Sequence, residues 1–352
     1  MKHKLLEQCS LWMALYDFVP CILFAISCGL IYMIFPSYVF LLGAILANLA
    51  GFFKAGWKLI LALFKKSIPW LQQKFKYCMG SGFTLMILAM IIDHKLVNFE
   101  RFFKEVTSFP ACIFLLLMMV GYGGMSYAKK NLDSSTAKAN YIEQTINTLT
   151  QLSFLIAVIF MYTSAISYQP TEKAYNYLES TPQVTVVNNQ NGYYFDGKGS
   201  DLLVFYPGAF VDPASYSELC YLLAEEGLDC FICKMPLNFA LMNSNAADHP
   251  INAIDHDHIY LAGHSLGGVV ASFYSNEHEV DGLLLLASYA TKPQTQPVCT
   301  ICASEDKVMN LDAYTESLPN FSTHLEEHLL PGGNHSGFGN YGFQSGDGEA
   351  TI

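Results

Sequence analysis

Ser265 stands in the tract Gly263-His-Ser-Leu-Gly267, after the apolar run 258–262 and before the helix-forming run 269–274. A serine between two such glycines occupies a tight strand-to-helix turn, where small neighbours prevent backbone clashes. The turn exposes the serine oxygen, and the N-terminus of the following helix favours developing negative charge. The pattern predicts a nucleophile elbow with Ser265 as the nucleophile, and an ordinary glycine-rich turn is the alternative.

A serine nucleophile needs a base that takes its proton and an acid that orients the base. The strand-like run 296–303 is followed by two acids, of which we predict Asp306 as the orienting acid and keep Glu305 as the alternative. His335 lies in a glycine-rich loop after the last strand-like run. Such a loop is the expected position of the base, so we predict Ser265, Asp306 and His335 as a catalytic triad.

Two backbone N–H groups usually hold the oxyanion of an acyl-transfer intermediate, one directly after the nucleophile and one in a loop after an early strand. The apolar run 201–206 is such a strand, and Pro-Gly-Ala-Phe follows it. We predict Ala209 and Leu266 as the donors, with a plain Pro-Gly turn as the alternative. A register error of one residue would substitute a neighbour of Ala209. Residues that could belong to the substrate loops are Gly208, Phe210, Asn238 and His264.

Four tracts in this order resemble the bacterial α/β-hydrolase fold-5 family, which is related to dienelactone-hydrolase-like enzymes, over about residues 180–352. The tracts are 206–213, 233–238, 263–268 and 332–348. The resemblance implies a Ser-Asp-His triad on Ser265, Asp306 and His335 and implies almost nothing about the substrate. Ala209 stands where such proteins often carry a second glycine. The sequence stops at Ile352, whereas the family usually continues into a C-terminal helix, so we expect that helix to be missing and apolar sheet surface to be exposed.

The C-terminal half alternates strand-like and helix-like segments, which predicts a mostly parallel sheet covered on both faces. A hairpin over 183–195 opens this half, and strand-like runs follow at 201–206, 228–234 and 281–288. Only residues 289–297 separate the run 281–288 from the next strand. We therefore predict an α/β-hydrolase fold without a lid domain over 183–352.

The N-terminal half contains long apolar runs separated by polar connectors that carry lysine. This pattern predicts an α-helical multi-pass membrane region over 1–168. We predict five spans, at 19–35, 38–53, 79–92, 109–127 and 152–168, with four as the alternative. The second span could extend to Phe64, with Lys54 and Lys58 snorkelling to the interface. Residues 169–182 would then be a spacer before the hydrolase domain.

Lysine placement predicts the orientation of these spans. Lys2 and Lys4 precede the first span, Lys65 and Lys66 follow the second, and the loop between those spans carries none. The positive-inside rule then places the N-terminus in the cytoplasm, and five spans place the hydrolase domain outside the cell membrane.

Charge differs sharply between the two halves of the chain. Residues 1–170 carry 14 Lys and Arg against 7 Asp and Glu, and the remainder carries 5 against 23. So acidic a domain is repelled by nucleic acid and by anionic lipid head groups. We therefore expect no nucleic acid partner, and the lipid bilayer as a partner only through the N-terminal spans.

Metal and cofactor signals are weak. The pairs Cys230/Cys233 and Cys299/Cys302 have the spacing of zinc or redox sites, but both lie in apolar runs, where strand alternation points the two thiols to opposite faces. The tract 255–258, Asp-His-Asp-His, is better explained as a solvated loop. With no phosphate loop and no dinucleotide fingerprint, we predict no cofactor and no metal.

The sequence therefore predicts a membrane-anchored serine hydrolase that cleaves an ester, thioester or related acyl bond in a small-molecule substrate. The alternative is a multi-pass membrane sensor or transporter component with a ligand-binding hydrolase-like domain. The sequence identifies neither the substrate nor a protein partner.

Overall fold

A computed structural model describes residues 10–66, 68–96, 102–103, 106–133, 136–321 and 324–352. The chain forms two compact units, Met1–Ala165 and Ile166–Ile352. Lys2 and Lys4, used above for the orientation of the spans, lie outside the described residues.

The first unit is helical. Its described helices are α1 (Leu11–Tyr16), α2 (Phe18–Ile34), α3 (Tyr38–Phe64), α4 (Pro69–Ile92) and α5 (Ala111–Asn131), and α6 (Ala137–Ile166) runs to the boundary of the second unit. Within the described part of the chain, four helical stretches are long and apolar enough to cross a membrane: Leu11–Ile34, Tyr38–Phe64, Ala111–Asn131 and Ala137–Ile166. The apolar part of α4, Tyr77–Ile92, is shorter.

Helices α3 and α4 pack with their backbones in close approach. A Cβ added at Gly43 would lie 2.7 Å from the carbonyl oxygen of Gly82, and one added at Gly82 would lie 2.6 Å from the backbone nitrogen of Ala47. Small residues at this seam allow the close packing that is common between membrane helices. At the end of the pair, the hydroxyl of Ser37, which caps α3, donates to the carboxylate of Asp93 at 2.5 Å. The C-terminal end of α4 therefore lies beside the N-terminal end of α3.

The prediction that Lys58 snorkels is wrong. Its side chain is buried, and its Nζ lies 2.6 Å from the Asp17 carboxylate, which is also buried. An ammonium surrounded by apolar helices is stabilised by a nearby carboxylate, and Asp17 supplies one at the start of α2. Spacing along the chain does not indicate this pairing, because the two residues are 41 positions apart.

The second unit is built on an eight-stranded sheet in the order β1-β2-β4-β3-β5-β6-β7-β8. Strands β1 and β2 form an antiparallel hairpin, β2 pairs antiparallel with β4, and the remaining pairs are parallel. The strands are β1 (Thr185–Asn188), β2 (Gly192–Asp196), β3 (Asp201–Tyr206), β4 (Leu228–Cys233), β5 (His258–His264), β6 (Gly282–Leu286), β7 (Val298–Ala303) and β8 (Leu325–Leu330).

Helices cover the sheet on both faces. They are α7 (Glu172–Asn176), α8 (Ser217–Glu225), α9 (Asp248–Ala253), α10 (Leu266–Glu277) and α11 (Leu311–Ser317). Alternate residues of the central strands enter two separate cores, as Leu202 and Val204 do on one face and Leu203 and Phe205 on the other. A strand buried on both faces must be apolar along its whole length, which explains the run 202–206.

The connection between β6 and β7, the last strand and the segment 169–182 were each the subject of a prediction from the sequence. Residues 287–297, which connect β6 to β7, are all described and form only bends and irregular backbone, so this connection carries no lid. Leu329 and Leu330 on the last strand are exposed. Residues 169–182, predicted as a spacer, contain α7 and are bonded to the domain, because Thr171 N–H donates to Asn340 O at 2.8 Å and Ser217 Oγ donates to Ala174 O at 2.5 Å.

Candidate active site

Ser265 occupies the turn between β5 and α10, with φ 53° and ψ −127°. A non-glycine residue at positive φ is strained, and such strain is typical of functional positions. The flanking glycines are needed for this geometry. A Cβ at Gly263 would lie 2.5 Å from the backbone of Gly267, and one at Gly267 would collide with the carbonyl oxygens of Tyr206 and Pro207.

Asp306 and His335 contact each other. The Asp306 Oδ2 atom accepts a hydrogen bond from His335 Nδ1 at 2.7 Å, and both side chains are almost completely buried. The other oxygen, Oδ1, accepts from the backbone N–H groups of Val308 and Met309, each at 2.8 Å. The carboxylate is thus fixed from both sides, and it fixes the imidazole in turn. The alternative acid, Glu305, instead accepts a hydrogen bond from the Ser304 hydroxyl at 2.9 Å.

The second ring nitrogen of His335 makes no hydrogen bond to Ser265. Its Nε2 atom is buried and has no hydrogen-bond partner among the described residues. The His335 ring centroid lies 4.5 Å from that of His264, the residue directly before Ser265. With Nδ1 donating to Asp306, Nε2 is the nitrogen left free to accept a proton.

A second carboxylate, Asp347, holds the loop that carries His335. Its oxygens accept hydrogen bonds from the backbone and hydroxyl of Ser336 at 2.8 and 3.0 Å, and from the His335 N–H at 3.3 Å. Burial alone would raise the pKa of Asp347, but hydrogen bonds from Ser336, Gly348 and Lys307 outweigh it and leave the pKa below its ordinary value. Sequence reasoning missed Asp347; its place inside the glycine-rich tract after His335 was the only available signal.

Hydrogen bonding separates the possible donors in the loop after β3. The Gly208 N–H donates to the Tyr216 hydroxyl at 3.1 Å, and the Phe210 N–H donates to the Asn238 carbonyl oxygen at 2.6 Å. Among the described residues no acceptor is bonded to the N–H of Ala209 or of Leu266. These two groups, one after β3 and one at the start of α10, are therefore available to an oxyanion, whereas those of Gly208 and Phe210 are not.

The loop is bound at both ends. Asn238 has a positive φ of 51°, and its side-chain amide also donates to Ser167 Oγ at 3.2 Å. On the other side, the Tyr168 N–H donates to Phe210 O at 2.7 Å. Asn238, predicted as a substrate-loop residue, thus acts here as an anchor for Phe210.

Tyr216 joins the same loop to the elbow. Its hydroxyl, which accepts from Gly208, lies 2.8 Å from His264 Nδ1. The Gly208 N–H can only donate, so the Tyr216 hydroxyl donates its own proton to Nδ1 when His264 is protonated on Nε2. Burial, and then the proximity of His335, lowers the pKa of His264 well below its ordinary value. His264 is therefore neutral, and burial also raises the pKa of Tyr216 so that its hydroxyl keeps its proton.

The cysteine pairs and a possible metal cluster lie elsewhere on the sheet. Cys230 and Cys233 are buried in the cores on opposite faces. Cys299, Glu326 and His328, on β7 and β8, have ligand atoms within 4.8 Å of one another and could hold a metal ion. His328 and Glu326 are exposed and already bonded to each other at 2.8 Å. No hydrogen bond or ion pair in the described structure joins these residues to Asp306 or His335.

Comparison with known proteins agrees with this fold. Residues 202–352 match the model of the alpha/beta hydrolase family. A comparison with curated protein sequences finds no match.

Among solved structures, TT1662 from Thermus thermophilus is 15% identical, with a TM-score of 0.37 over 43% of this chain and 90% of its own. The α/β hydrolase enzyme MGS-MChE2, from a sediment metagenome of the Mar Chica lagoon, is 14% identical, with a TM-score of 0.37 over 43% and 90%. The esterase Est2 of Thermogutta terrifontis is 13% identical, with a TM-score of 0.34 over 48% and 88%. Likenesses of this degree carry no argument about activity.

The family match, the mostly parallel sheet and the strand-turn-helix at Ser265 agree with one another. The C-terminal part of this chain therefore has an α/β-hydrolase fold, which the family model matches over residues 202–352, and it follows helices that are long and apolar enough to span a membrane.

Proposed function

We propose that the protein is a membrane-anchored serine hydrolase that cleaves an ester, thioester or related acyl bond in a small-molecule substrate. One observation carries the proposal: a buried Asp306–His335 pair, with Nε2 of the imidazole unpartnered, lies beside the strained turn that presents Ser265. Nucleophile, acid and base then occur along the chain in the order that the family uses.

In this mechanism Ser265 Oγ attacks the carbonyl carbon of the substrate while its proton passes to His335 Nε2. Asp306 stabilises the imidazolium and keeps the imidazole in the tautomer that accepts at Nε2. The proton then passes from Nε2 to the leaving alcohol or thiol as the carbonyl–heteroatom bond breaks. Water repeats the sequence on the acyl-enzyme, which releases a carboxylic acid and restores Ser265.

Negative charge on the carbonyl oxygen is held by the N–H groups of Ala209 and Leu266 in this mechanism. Both are free of other acceptors in the described structure, and Leu266 lies at the N-terminus of α10. Donors that are fixed before the reaction cost no reorganisation at the transition state, and this is often the largest contribution to catalysis. The short, lid-free connection between β6 and β7 favours small acyl groups, since it offers little apolar wall.

We further propose five crossings of the membrane and an extracytoplasmic hydrolase domain. The contested crossing is α4, whose 24 residues extend about 36 Å as a helix. Its end at Asp93 is bonded to Ser37, at the start of α3, so α4 returns along the full length of α3. If α3 crosses the membrane, this pairing favours a crossing by α4 as well.

Hydrolysis of p-nitrophenyl acetate by the purified full chain tests the proposed activity. The parent should turn the ester over, and Ser265→Ala should lose at least about a thousandfold in kcat/KM. Ser200→Ala, which alters an exposed serine before β3, is the matched control and should retain full activity. Equal rates in the parent and Ser265→Ala would contradict the proposal.

A further inference from the structure

The helical unit contains a cavity of about 330 Å³ that is open on one side, a size typical of small-molecule sites. We call it the bundle cavity. Its lining is mainly apolar, with Phe24, Phe75 and Phe83 among its walls, and several polar side chains enter it. Those that matter here are Asp17, Asn48, Lys54, Tyr122, Lys129 and Gln151.

The charges around the bundle cavity do not balance. Asp17 is the only acid among the described residues that line it, and it already pairs with Lys58 at 2.6 Å. Lys54 and Lys129 remain as two cations for which the described lining offers no further acid, and the Lys54 ammonium lies 5.6 Å from the centroid of the Phe75 ring. Cations within apolar helices are costly and usually mark a binding function. The excess charge favours an anionic ligand.

Two amide oxygens in the cavity also lack partners. Gln151 is 8% exposed, and its Oε1 atom has no hydrogen bond among the described residues, although its Nε2 donates to Tyr122 at 3.2 Å. Asn48 Oδ1 is likewise buried and unpartnered, although its Nδ2 donates to Ala44 O. A buried oxygen without a donor costs about 1–3 kcal/mol. A ligand that brings hydroxyl groups would supply the missing donors.

The cavity is reachable from outside the bundle. Tyr122, Ser126 and Lys129 line it, lie on one face of α5 and are exposed. A molecule in the surrounding bilayer could therefore enter from the side, with its polar head toward the lysines and its apolar part against the phenylalanines.

We propose that the bundle cavity binds an oxyanion that carries neighbouring hydroxyl groups, as in the phosphoglycerol head group of a membrane lipid. Lys54 and Lys129 bind the oxyanion, and the amide oxygens of Gln151 and Asn48 accept from the hydroxyl groups. The same chemistry occurs in soluble glycerol 3-phosphate. The site does not depend on the hydrolase activity.

Thermal unfolding of the full chain in phosphatidylcholine nanodiscs separates the two sources. In one arm part of the lipid is replaced by phosphatidylglycerol, with phosphatidylserine as an anionic lipid without free hydroxyl groups. In the other arm glycerol 3-phosphate is added from solution. A ligand that binds the folded state raises the melting temperature in a saturable way. A shift with phosphatidylglycerol that exceeds the shift with phosphatidylserine indicates the lipid, and a saturable shift with glycerol 3-phosphate indicates the soluble ligand.

Variants show whether the shift in melting temperature arises from binding in the bundle cavity. Lys54→Gln should weaken binding by about tenfold or more, because a charge-assisted contact is lost, and Lys54→Arg should retain most of it. Lys66→Gln, which alters an exposed lysine just beyond α3, is the matched control and should bind as the parent does.

Gln151→Leu replaces the amide by an apolar group of similar size and should abolish the preference for phosphatidylglycerol over phosphatidylserine. This variant tests the proposal if Lys54→Gln does not fold. The proposal is overturned if neither ligand shifts the melting temperature of the parent, or if Lys66→Gln loses as much as Lys54→Gln.

Discussion

The Asp306 carboxylate and the His335 imidazole lie 2.7 Å apart and are both almost completely buried, although 29 positions separate them in the chain. One follows β7 and the other follows β8, and these strands are parallel neighbours. The carboxyl ends of parallel neighbours meet at one edge of a sheet, which is how two distant loops supply one acid–base pair.

Replacing Asp306 should reduce turnover without unfolding the protein. Asp306→Asn loses the charge that holds His335 in its accepting tautomer, so kcat should fall on the order of a hundredfold or more. Glu305→Gln alters the neighbouring acid, whose carboxylate accepts from the Ser304 hydroxyl and not from His335, and should leave kcat nearly unchanged. Steady-state kinetics of both variants test which acid orients His335. A larger loss of kcat in Glu305→Gln than in Asp306→Asn would assign Glu305 as that acid.

Tyr216→Phe should impair the oxyanion loop. The change leaves the Gly208 N–H and His264 Nδ1 without their shared hydroxyl partner, so the loop that carries Ala209 loses a fixed position. We expect kcat to fall about tenfold with little change in KM, because the lost support acts on the transition state.

Tyr221→Phe is the matched control for this prediction, since Tyr221 is a buried tyrosine bonded to Thr181 at 2.7 Å. It should lower stability and leave kcat unchanged. A similar kcat loss in both variants would mean that Tyr216 has only a general structural role.

Asp347 should stabilise the protein in a pH-dependent way. Its pKa is lower in the folded chain than its ordinary value, so its contribution is present at neutral pH and is lost as the pH falls through the folded-state pKa. Asp347→Asn lacks this contribution at every pH. The difference in melting temperature between parent and variant should therefore be largest near neutral pH and shrink below about pH 4. A difference in melting temperature that grows on acidification would show that the pKa of Asp347 is raised, not lowered, in the folded chain.

The five-crossing arrangement predicts which surfaces are accessible in intact cells. After the native thiols are blocked, Ser200→Cys on the hydrolase domain should react with a membrane-impermeant maleimide, and Lys66→Cys should react only after the membrane is opened. Protection of both sites would indicate an even number of crossings and a cytoplasmic enzyme, and the reverse pattern would indicate five crossings of the opposite orientation. The catalytic mechanism would then stand unchanged.

The fold and much of the site follow from local sequence signals. The glycines around Ser265 specify a turn that only a small residue can flank, and the apolar runs 201–206 and 281–288 specify strands buried on both faces. Contacts between distant polar residues carry no such local signal. Neither the Asp17–Lys58 pair nor the bond from Tyr216 to His264 could be read from spacing, because each depends on how separate elements pack. The assignment of Ala209 as an oxyanion donor likewise depends on the structure, because it requires knowing that the N–H groups of Gly208 and Phe210 are bonded to other acceptors.

The most direct test of Ser265 as the nucleophile is covalent labelling of the full chain by a fluorophosphonate, with the modified residue located by peptide mass spectrometry. A fluorophosphonate reacts with a serine only where a base activates it, so labelling reports Ser265 and His335 together. We predict a single adduct on Ser265, lost in Ser265→Ala, strongly reduced in His335→Ala and retained in Ser200→Ala. An adduct on another residue, or equal labelling of the parent and Ser265→Ala, would contradict the assignment of Ser265 as the nucleophile.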